Sequence, residues 1–406
     1  MKRMLKIQIS KTLQDKVRKG LPKIFHYQIE NDPGGEPGDL GVIYNNNNRF
    51  LAIGLYDPFS PVRFRVLQTG KPTAISIEFF RKLFCEAVEK RKPLAKNGTT
   101  GYRLVNGEGD GFSGLVLDCY GEAAVLKLYA MCWLPHLDAI LEALQSVVNF
   151  KQIVLRLSRE MQDNLLSHES FSHFYDGQIL EGEPLLAPVA FSENGLTFTA
   201  DLVKGQKTGF FLDQRENRER VKELSKGKSV LNVFSYTGAF SVYARAGGAE
   251  SVLEIDANGK ALGVSRRHWQ MNFGEDDASG GKELSQLEGD AFLHLEDLHR
   301  KKMQWDIVIL DPPAFARNKK QIEAALKSYY RLAQAGVRLV KKNGILLAAS
   351  CSKPVSSVQF FNTIVGGVKN AGFGFKECGR SEHALDHLTI SPEDNYLKAI
   401  YLQIEY

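Results

Sequence analysis

The chain has 406 residues, too many for one hydrophobic core, and its 43% hydrophobic and 24% charged residues are ordinary for a globular protein. The 52 Lys and Arg exceed the 47 Asp and Glu by a net +5, an excess that permits nucleic-acid binding where charge clusters but does not establish it. The five cysteines are scattered without a CxxC, so neither a disulfide framework nor a metal site is expected. No apolar run is long enough to span a membrane and no signal peptide opens the chain, so a reducing cytoplasm is the expected location.

Residues 1–72 read as a compact β-rich unit. Gly34, Gly35, Pro37 and Gly38 punctuate it, and GVIY and FLAIGLY read as strands joined by the turn Asn45–Asn48. Basic residues crowd this segment, among them Lys2, Arg3, Arg18, Lys23, Arg63 and Arg65. Residues 73–188 mix a helix over 77–90 and another over 135–148 with strands near 102–105, 114–117, 124–129 and 153–157, which predicts a small α+β layer. From 189 to 406 the pattern changes. The runs SVLNVF, SVLEID, WDIVILD and GILLAAS alternate with helices over 239–246, 257–272, 322–340 and 358–370. That alternation predicts a parallel, doubly wound sheet, which binds its ligands at the carboxyl ends of its strands.

Four motifs fall at such ends, and a fifth lies just ahead of the first strand. After SVLNV comes a turn, Phe234-Ser235-Tyr236-Thr237-Gly238, and then a helix; the next strand ends at Asp256. The turn and helix N-terminus suit a ligand approached by backbone, and Asp256 suits ribose hydroxyls. Without GxGxxG a dinucleotide is not favoured, and an ordinary βαβ unit would look similar. Asp290-Ala291 follows the third strand. There a carboxylate could accept from an adenine amino group, although a helix N-cap would use the same residue. Asp311-Pro312-Pro313-Ala314-Phe315 is a stiff loop after an apolar strand, suited to holding a flat base edge. Cys351, in Ser350-Cys351-Ser352, ends the strand GILLAAS. A lone cysteine is most often a small buried hydrophobe, but beside Asp311 a nucleophilic thiolate becomes the better reading. The stretch from Lys207 to Arg215 mixes Phe211, Asp213 and Arg215 just ahead of the first strand; a helix start at Asp213 is the plainer account.

Taken together, KTGFFLDQRENR, LNVFSYTGAFSVYA, DPPAF and SCS resemble, in order, the signatures of the RlmI-type family of class I methyltransferases, which modify cytosine carbon 5 in large-subunit ribosomal RNA. YRLVNGEGDGFSGLVLDCY resembles that family's central α+β domain, RKGLPKIF and GDLGVIY resemble a PUA domain, and DHLTISPEDNYLKAIYLQI resembles its closing segment, with Leu388 where proline is expected. The resemblance implies an α/β fold: an N-terminal β-barrel-like PUA domain, a central α+β domain and a C-terminal Rossmann-like methyltransferase domain. It also implies S-adenosyl-L-methionine as cofactor, bound by Phe211, Asp213, Arg215, residues 234–238, Asp256, Asp290, Ala291 and Asp311. Ribosomal RNA is the implied partner, with contacts expected from Arg18, Lys23, Arg63 and Arg65. Cys351 would be the nucleophile and Asp311 the base-holding residue. Ala314 stands where many cytosine-5 enzymes carry a second cysteine, so one thiol must suffice. Guanine-N7 methylation, and a non-catalytic ribosome-assembly factor, are the competing functions; a homodimer is left open.

Overall fold

The computed structural model describes residues 4–166, 168–274, 284–391 and 394–405; Lys2 and Arg3 of the basic segment lie outside these. The chain divides into two compact units. Unit 1 holds Met1–Ser192, Thr199–Phe210 and Asp386–Ile390, and unit 2 holds Glu193–Phe198, Phe211–Leu385 and Ser391–Tyr406.

Unit 1 begins with a six-stranded, barrel-like sheet. Its strands are β1 (Met4–Ile9), β2 (Lys23–Phe25), β3 (Ile29–Asn31), β4 (Leu40–Tyr44), β5 (Phe50–Tyr56) and β6 (Val62–Thr69), in the order β2-β6-β5-β4-β1-β3. Helix α1 (Lys11–Arg18) contributes Leu13 and Val17 to a core with Leu5, Ile7, Ile43 and Phe64. The Asn-rich turn joins β4 to β5 as the composition predicts; Asn48 takes the left-handed conformation asparagine tolerates, and the Asn45 N–H donates to the Arg49 carbonyl at 2.8 Å.

The second layer of unit 1 is a five-stranded sheet of β7 (Gly101–Asn106), β8 (Leu115–Tyr120), β9 (Ala123–Leu128), β10 (Gln152–Leu157) and β11 (Gln178–Glu181). Helices α2 (Ile77–Ala95), α3 (Leu137–Gln145) and α4 (Arg159–Leu165) accompany it. Phe80, Phe84, Phe112 and Trp133 form its aromatic core, each such burial being worth roughly 1.5–3 kcal/mol. A two-stranded ribbon pairs β12 (Val189–Glu193) with β13 (Leu196–Ala200).

Unit 2 is a seven-stranded sheet. Its strands are β14 (Ser229–Val233), β15 (Ser251–Asp256), β16 (Leu284–Glu288), β17 (Trp305–Leu310), β18 (Val340–Ser350), β19 (Gly374–Ser381) and β20 (Lys398–Glu405), in the order β16-β15-β14-β17-β18-β20-β19. The first five are parallel, and β20 and β19 close one edge antiparallel. Helices α5 (Arg215–Leu224), α6 (Ala239–Ala246), α7 (Gly259–Phe273), α8 (Ala291–Arg300), α9 (Ile322–Val337) and α10 (Ser357–Asn370) provide the covering layers. The strands are apolar on both faces because both are buried. Leu231, Val308, Leu310 and Leu346 share one core with Tyr329 and Phe360, while Val230, Ile307, Ile309 and Leu347 share another with Phe240 and Trp269. The sheet is therefore mixed at its edge rather than parallel throughout. Among the described residues no helix is long and apolar enough to cross a membrane.

Candidate active site

The turn between β14 and α6 is shaped by backbone and by one carboxylate. The N–H groups of Phe234 and Ser235 both donate to the Ile255 carbonyl, at 2.8 and 3.1 Å, which ties the turn to the adjacent strand. Asp256, ending β15, accepts from the Tyr236 N–H at 2.7 Å on Oδ2 and from the Asn258 N–H at 2.8 Å on Oδ1. Each oxygen keeps a second lone pair for an incoming hydroxyl. Phe234, Tyr236 and Gly238 all have positive φ, of 63°, 49° and 73°. For the two aromatic residues this is strain of order 1 kcal/mol or more each, held in place by the Ile255 and Asp256 bonds. Only glycine serves at 238, since a Cβ there would fall 1.8 Å from Ser265 Oγ and 2.6 Å from Glu254 Oε1. Beneath the turn, Glu254 is buried and accepts from Ser265 at 2.7 Å and Gln286 at 2.8 Å; burial raises its pKa.

The residues present fit the nucleoside methyl donor that the motifs imply. Among the described residues the Ser235 hydroxyl, buried in this turn, has no partner, and α6 begins with no side-chain cap on its N–H groups. A polar ligand at the turn would satisfy both. Asp290 caps α8, with Oδ1 accepting from Phe292 and Leu293 N–H at 2.9 and 3.0 Å. That bond pattern uses one oxygen and leaves Oδ2, so the cap and an adenine acceptor are compatible in one residue. Ala291 behind it is buried.

The KTGFFLDQR stretch divides at residue 210. In unit 1, Thr208 donates to Asp118 at 2.6 Å, and its hydroxyl lies 2.9 Å from that of Tyr120. In unit 2, the Phe211 ring meets Tyr236 edge-on at 5.2 Å, Asp213 accepts from the Tyr396 hydroxyl at 2.7 Å, and Arg215 is buried beside Glu216 at 2.9 Å. Gln214, which the sequence reading left without a role, donates from Nε2 to Asp311 Oδ2 at 2.9 Å and is itself held by Asn217 at 2.6 Å.

Asp311 and Cys351 follow neighbouring parallel strands: Leu310 of β17 pairs with Ala348 of β18, so both residues lie just past the carboxyl edge. Cys351 is half-buried. The two serines flanking it are pinned by one phenol, the Tyr329 hydroxyl lying 2.8 Å from both Ser350 Oγ and Ser352 Oγ. Ser352 Oγ also accepts from the Ala316 N–H at 3.2 Å, joining this segment to the Pro-Pro loop. Tyr329 and Lys398, both beside Cys351, were missed from sequence. A tyrosine inside an amphipathic helix reads as core, and a lysine opening a strand reads as its solvent end.

The basic candidates of unit 1 separate. Arg18 is exposed and pairs with Asp15. Lys23 meets Glu108 at 3.0 Å, and Arg63 meets Asp32 at 3.2 Å. Arg65 is only 4% exposed, with its guanidinium on the Val62 carbonyl at 2.7 Å, Ser60 at 3.0 Å and Asp57 at 3.7 Å. Those bonds hold the turn before β6 and leave Arg65 no surface to offer a phosphate.

Residues 141–365 match the S-adenosylmethionine-dependent methyltransferase family, and residues 7–69 match the PUA-like domain. A ribosomal RNA large subunit methyltransferase of Deinococcus radiodurans is 40% identical over 99% of this chain and 98% of its own. The ribosomal RNA large subunit methyltransferase I of Aeromonas salmonicida is 31% identical over 94% of this chain and 95% of its own. A solved methyltransferase structure complexed with SAH superposes with a TM-score of 0.79 at 25% identity, covering 98% of this chain and 99% of that one.

Proposed function

Because this chain belongs to the S-adenosylmethionine-dependent methyltransferase family, among the ribosomal RNA large subunit methyltransferases I, we propose that it methylates carbon 5 of a cytosine in large-subunit ribosomal RNA, with Cys351 as nucleophile. The observation that carries this reading is that Asp311 and Cys351 directly follow two paired parallel strands, at the same edge of the sheet. S-adenosylmethionine supplies an electrophilic methyl group on a sulfonium. Asp256 binds the ribose hydroxyls, Asp290 Oδ2 the adenine amino group, and the 234–238 turn with Phe211, Asp213 and Arg215 completes the pocket. Carbon 5 of cytosine is a poor nucleophile. The Cys351 thiolate adds to carbon 6, and the electron pair of the 5,6 double bond becomes available at carbon 5 for the methyl group. Asp311, its carboxylate fixed by Gln214, holds the N3/N4 edge and stabilises the charge that develops there. Loss of the carbon 5 proton then restores the double bond and expels Cys351. The target base leaves its stack to reach the edge of the sheet.

Three functional segments follow from this reading: residues 1–72 for RNA positioning, 73–188 as the central layer and 189–406 for methyl transfer. In the first, Arg18, Lys23 and Arg63 contact phosphate, while Arg65 holds the turn before β6. The protein works in the cytoplasm, where ribosomal subunits mature.

Cys351→Ser is the test. A serine hydroxyl is scarcely ionised at neutral pH, so methylation of large-subunit RNA disappears while S-adenosylmethionine affinity persists. The wild-type enzyme becomes trapped on RNA carrying 5-fluorocytidine, because fluorine cannot leave as the proton does; the adduct survives denaturation and mass spectrometry maps it to Cys351. An active serine variant defeats the covalent mechanism and favours guanine N7. Cofactor binding without methylation of any RNA favours an assembly factor.

A further inference from the structure

β20 runs antiparallel to β18 so that Lys398 pairs with Ser350, one residue from Cys351. Lys398 is 1% exposed. Its Nζ donates to the carbonyls of Ser352, at 2.8 Å, and Val355, at 2.5 Å, both in the segment that carries Cys351 out of the strand. Among the described residues no carboxylate pairs with it. Carbonyl dipoles orient an ammonium, but they do not cancel its charge, and burial without a counter-charge is costly. Burial pushes the Lys398 ammonium down to about 8, and the group that draws it back up is Cys351. Attraction between two sites is mutual: a thiolate that favours the ammonium is favoured by it.

Among the described residues, the other ionisable groups that the structure places near Cys351 differ from Lys398 in charge or exposure. Tyr329, from α9, is coupled to Cys351, and burial raises its pKa, so it stands as a neutral phenol. Asp311, after β17, carries the opposite sign. Lys353, two residues along, is exposed, where water and salt screen its charge.

We propose that Lys398 is the positioning residue that keeps Cys351 in its thiolate form, acting through the sulfur and touching neither the RNA nor the methyl donor. The proposal rests on the reading of Cys351 as nucleophile. The thiol loses its proton to solvent, the ammonium keeps its own, and the pair enters the reaction charged.

The pH dependence of Cys351 alkylation by iodoacetamide tests this on the full chain, without RNA. Peptide mass spectrometry separates Cys351 from the exposed Cys85 and Cys378. In Lys398→Met the alkylation midpoint rises by about one pH unit, so the reaction slows about tenfold at pH below the wild-type midpoint, whereas Lys398→Arg stays close to wild type. Lys398→Gln repeats the test with donors retained for the two carbonyls, should the methionine variant not fold. Retained S-adenosylmethionine affinity certifies each variant. An unchanged midpoint in a folded neutral variant overturns the inference. The 5-fluorocytidine trap separates the two ideas: an adduct with a lysine-independent midpoint defeats Lys398 alone, and a lysine-dependent midpoint without any adduct defeats the cytosine mechanism alone.

Discussion

Arg91 in unit 1 and Lys398 in unit 2 are both buried cations, held in opposite ways. Arg91 meets Asp110 through two bonds of 2.7 Å each, and a second pair, Arg103 with Asp118, repeats the arrangement at 2.7 and 2.9 Å. Lys398 has carbonyls and a neighbouring cysteine. Glu254, under the 234–238 turn, is the anionic counterpart, a buried carboxyl whose described donors are neutral side chains. The centre of unit 1 neutralises what it buries; the carboxyl edge of unit 2 leaves charge in reserve. Paired charge fixes one geometry, and charge in reserve is available to a thiolate or a ligand.

The sharpest way to break this comparison is Asp110→Ala, which strands the Arg91 guanidinium. Unfolding in urea should show a loss of about 3–5 kcal/mol. Burial works against the Asp110 carboxylate, but Arg91 outweighs it and holds the carboxyl below its ordinary pKa. Its contribution is therefore complete above the ordinary carboxylate range and fades on acidification. A loss under one kcal/mol would mean that the pair is not structural.

Asp256→Ala comes next. It removes the proposed ribose acceptor and the anchor of the Tyr236 N–H, so S-adenosylmethionine binding should weaken by about 1–3 kcal/mol in calorimetry. Unchanged affinity would put the ribose elsewhere. Glu254 gives a smaller effect of the opposite pH sense. Burial raises its pKa in the fold, so it costs nothing below the ordinary carboxyl range and costs progressively more as pH rises toward the raised value. Thermal unfolding of Glu254→Gln should therefore lose less stability than wild type over that interval; parallel curves would contradict the assignment. Least of all for stability is Arg18→Ala, whose exposed partner Asp15 contributes little, with a change under about 0.5 kcal/mol. Its effect belongs to RNA: the slope of log affinity against log salt should fall by about 1, and an unaltered slope would remove Arg18 from the interface.

Much of the fold was legible because apolar runs and helical spacing are local signals. The helix predicted over 239–246 is α6 to the residue, and the strands around SVLNV and WDIVIL fall where the pattern puts them. The antiparallel edge was not legible: β19, GFKECGRS, is polar and largely exposed, and only its pairing with β20 makes it a strand. Asp290 shows that two sequence readings need not compete, since a carboxylate has two oxygens. Arg63 and Arg65 look equivalent in VRFRVLQT, yet burial and Asp57 set Arg65 apart, and burial is a tertiary property. The same limit hid Lys398, whose significance depends on what lies opposite it in the sheet.

The division of the chain has one more consequence, for the order in which it can fold. Arg91 also donates to the Asp386 carbonyl at 2.8 Å, and the Arg103 N–H donates to the Asp386 carboxylate at 2.7 Å, so two residues of the N-terminal half wait for a partner almost 300 positions later. On a translating ribosome those bonds cannot form until Asp386 has been made. Unit 1, though begun first, is thus sealed late, and a truncated chain that ends before Asp386 would emerge with its buried arginine network lacking these bonds.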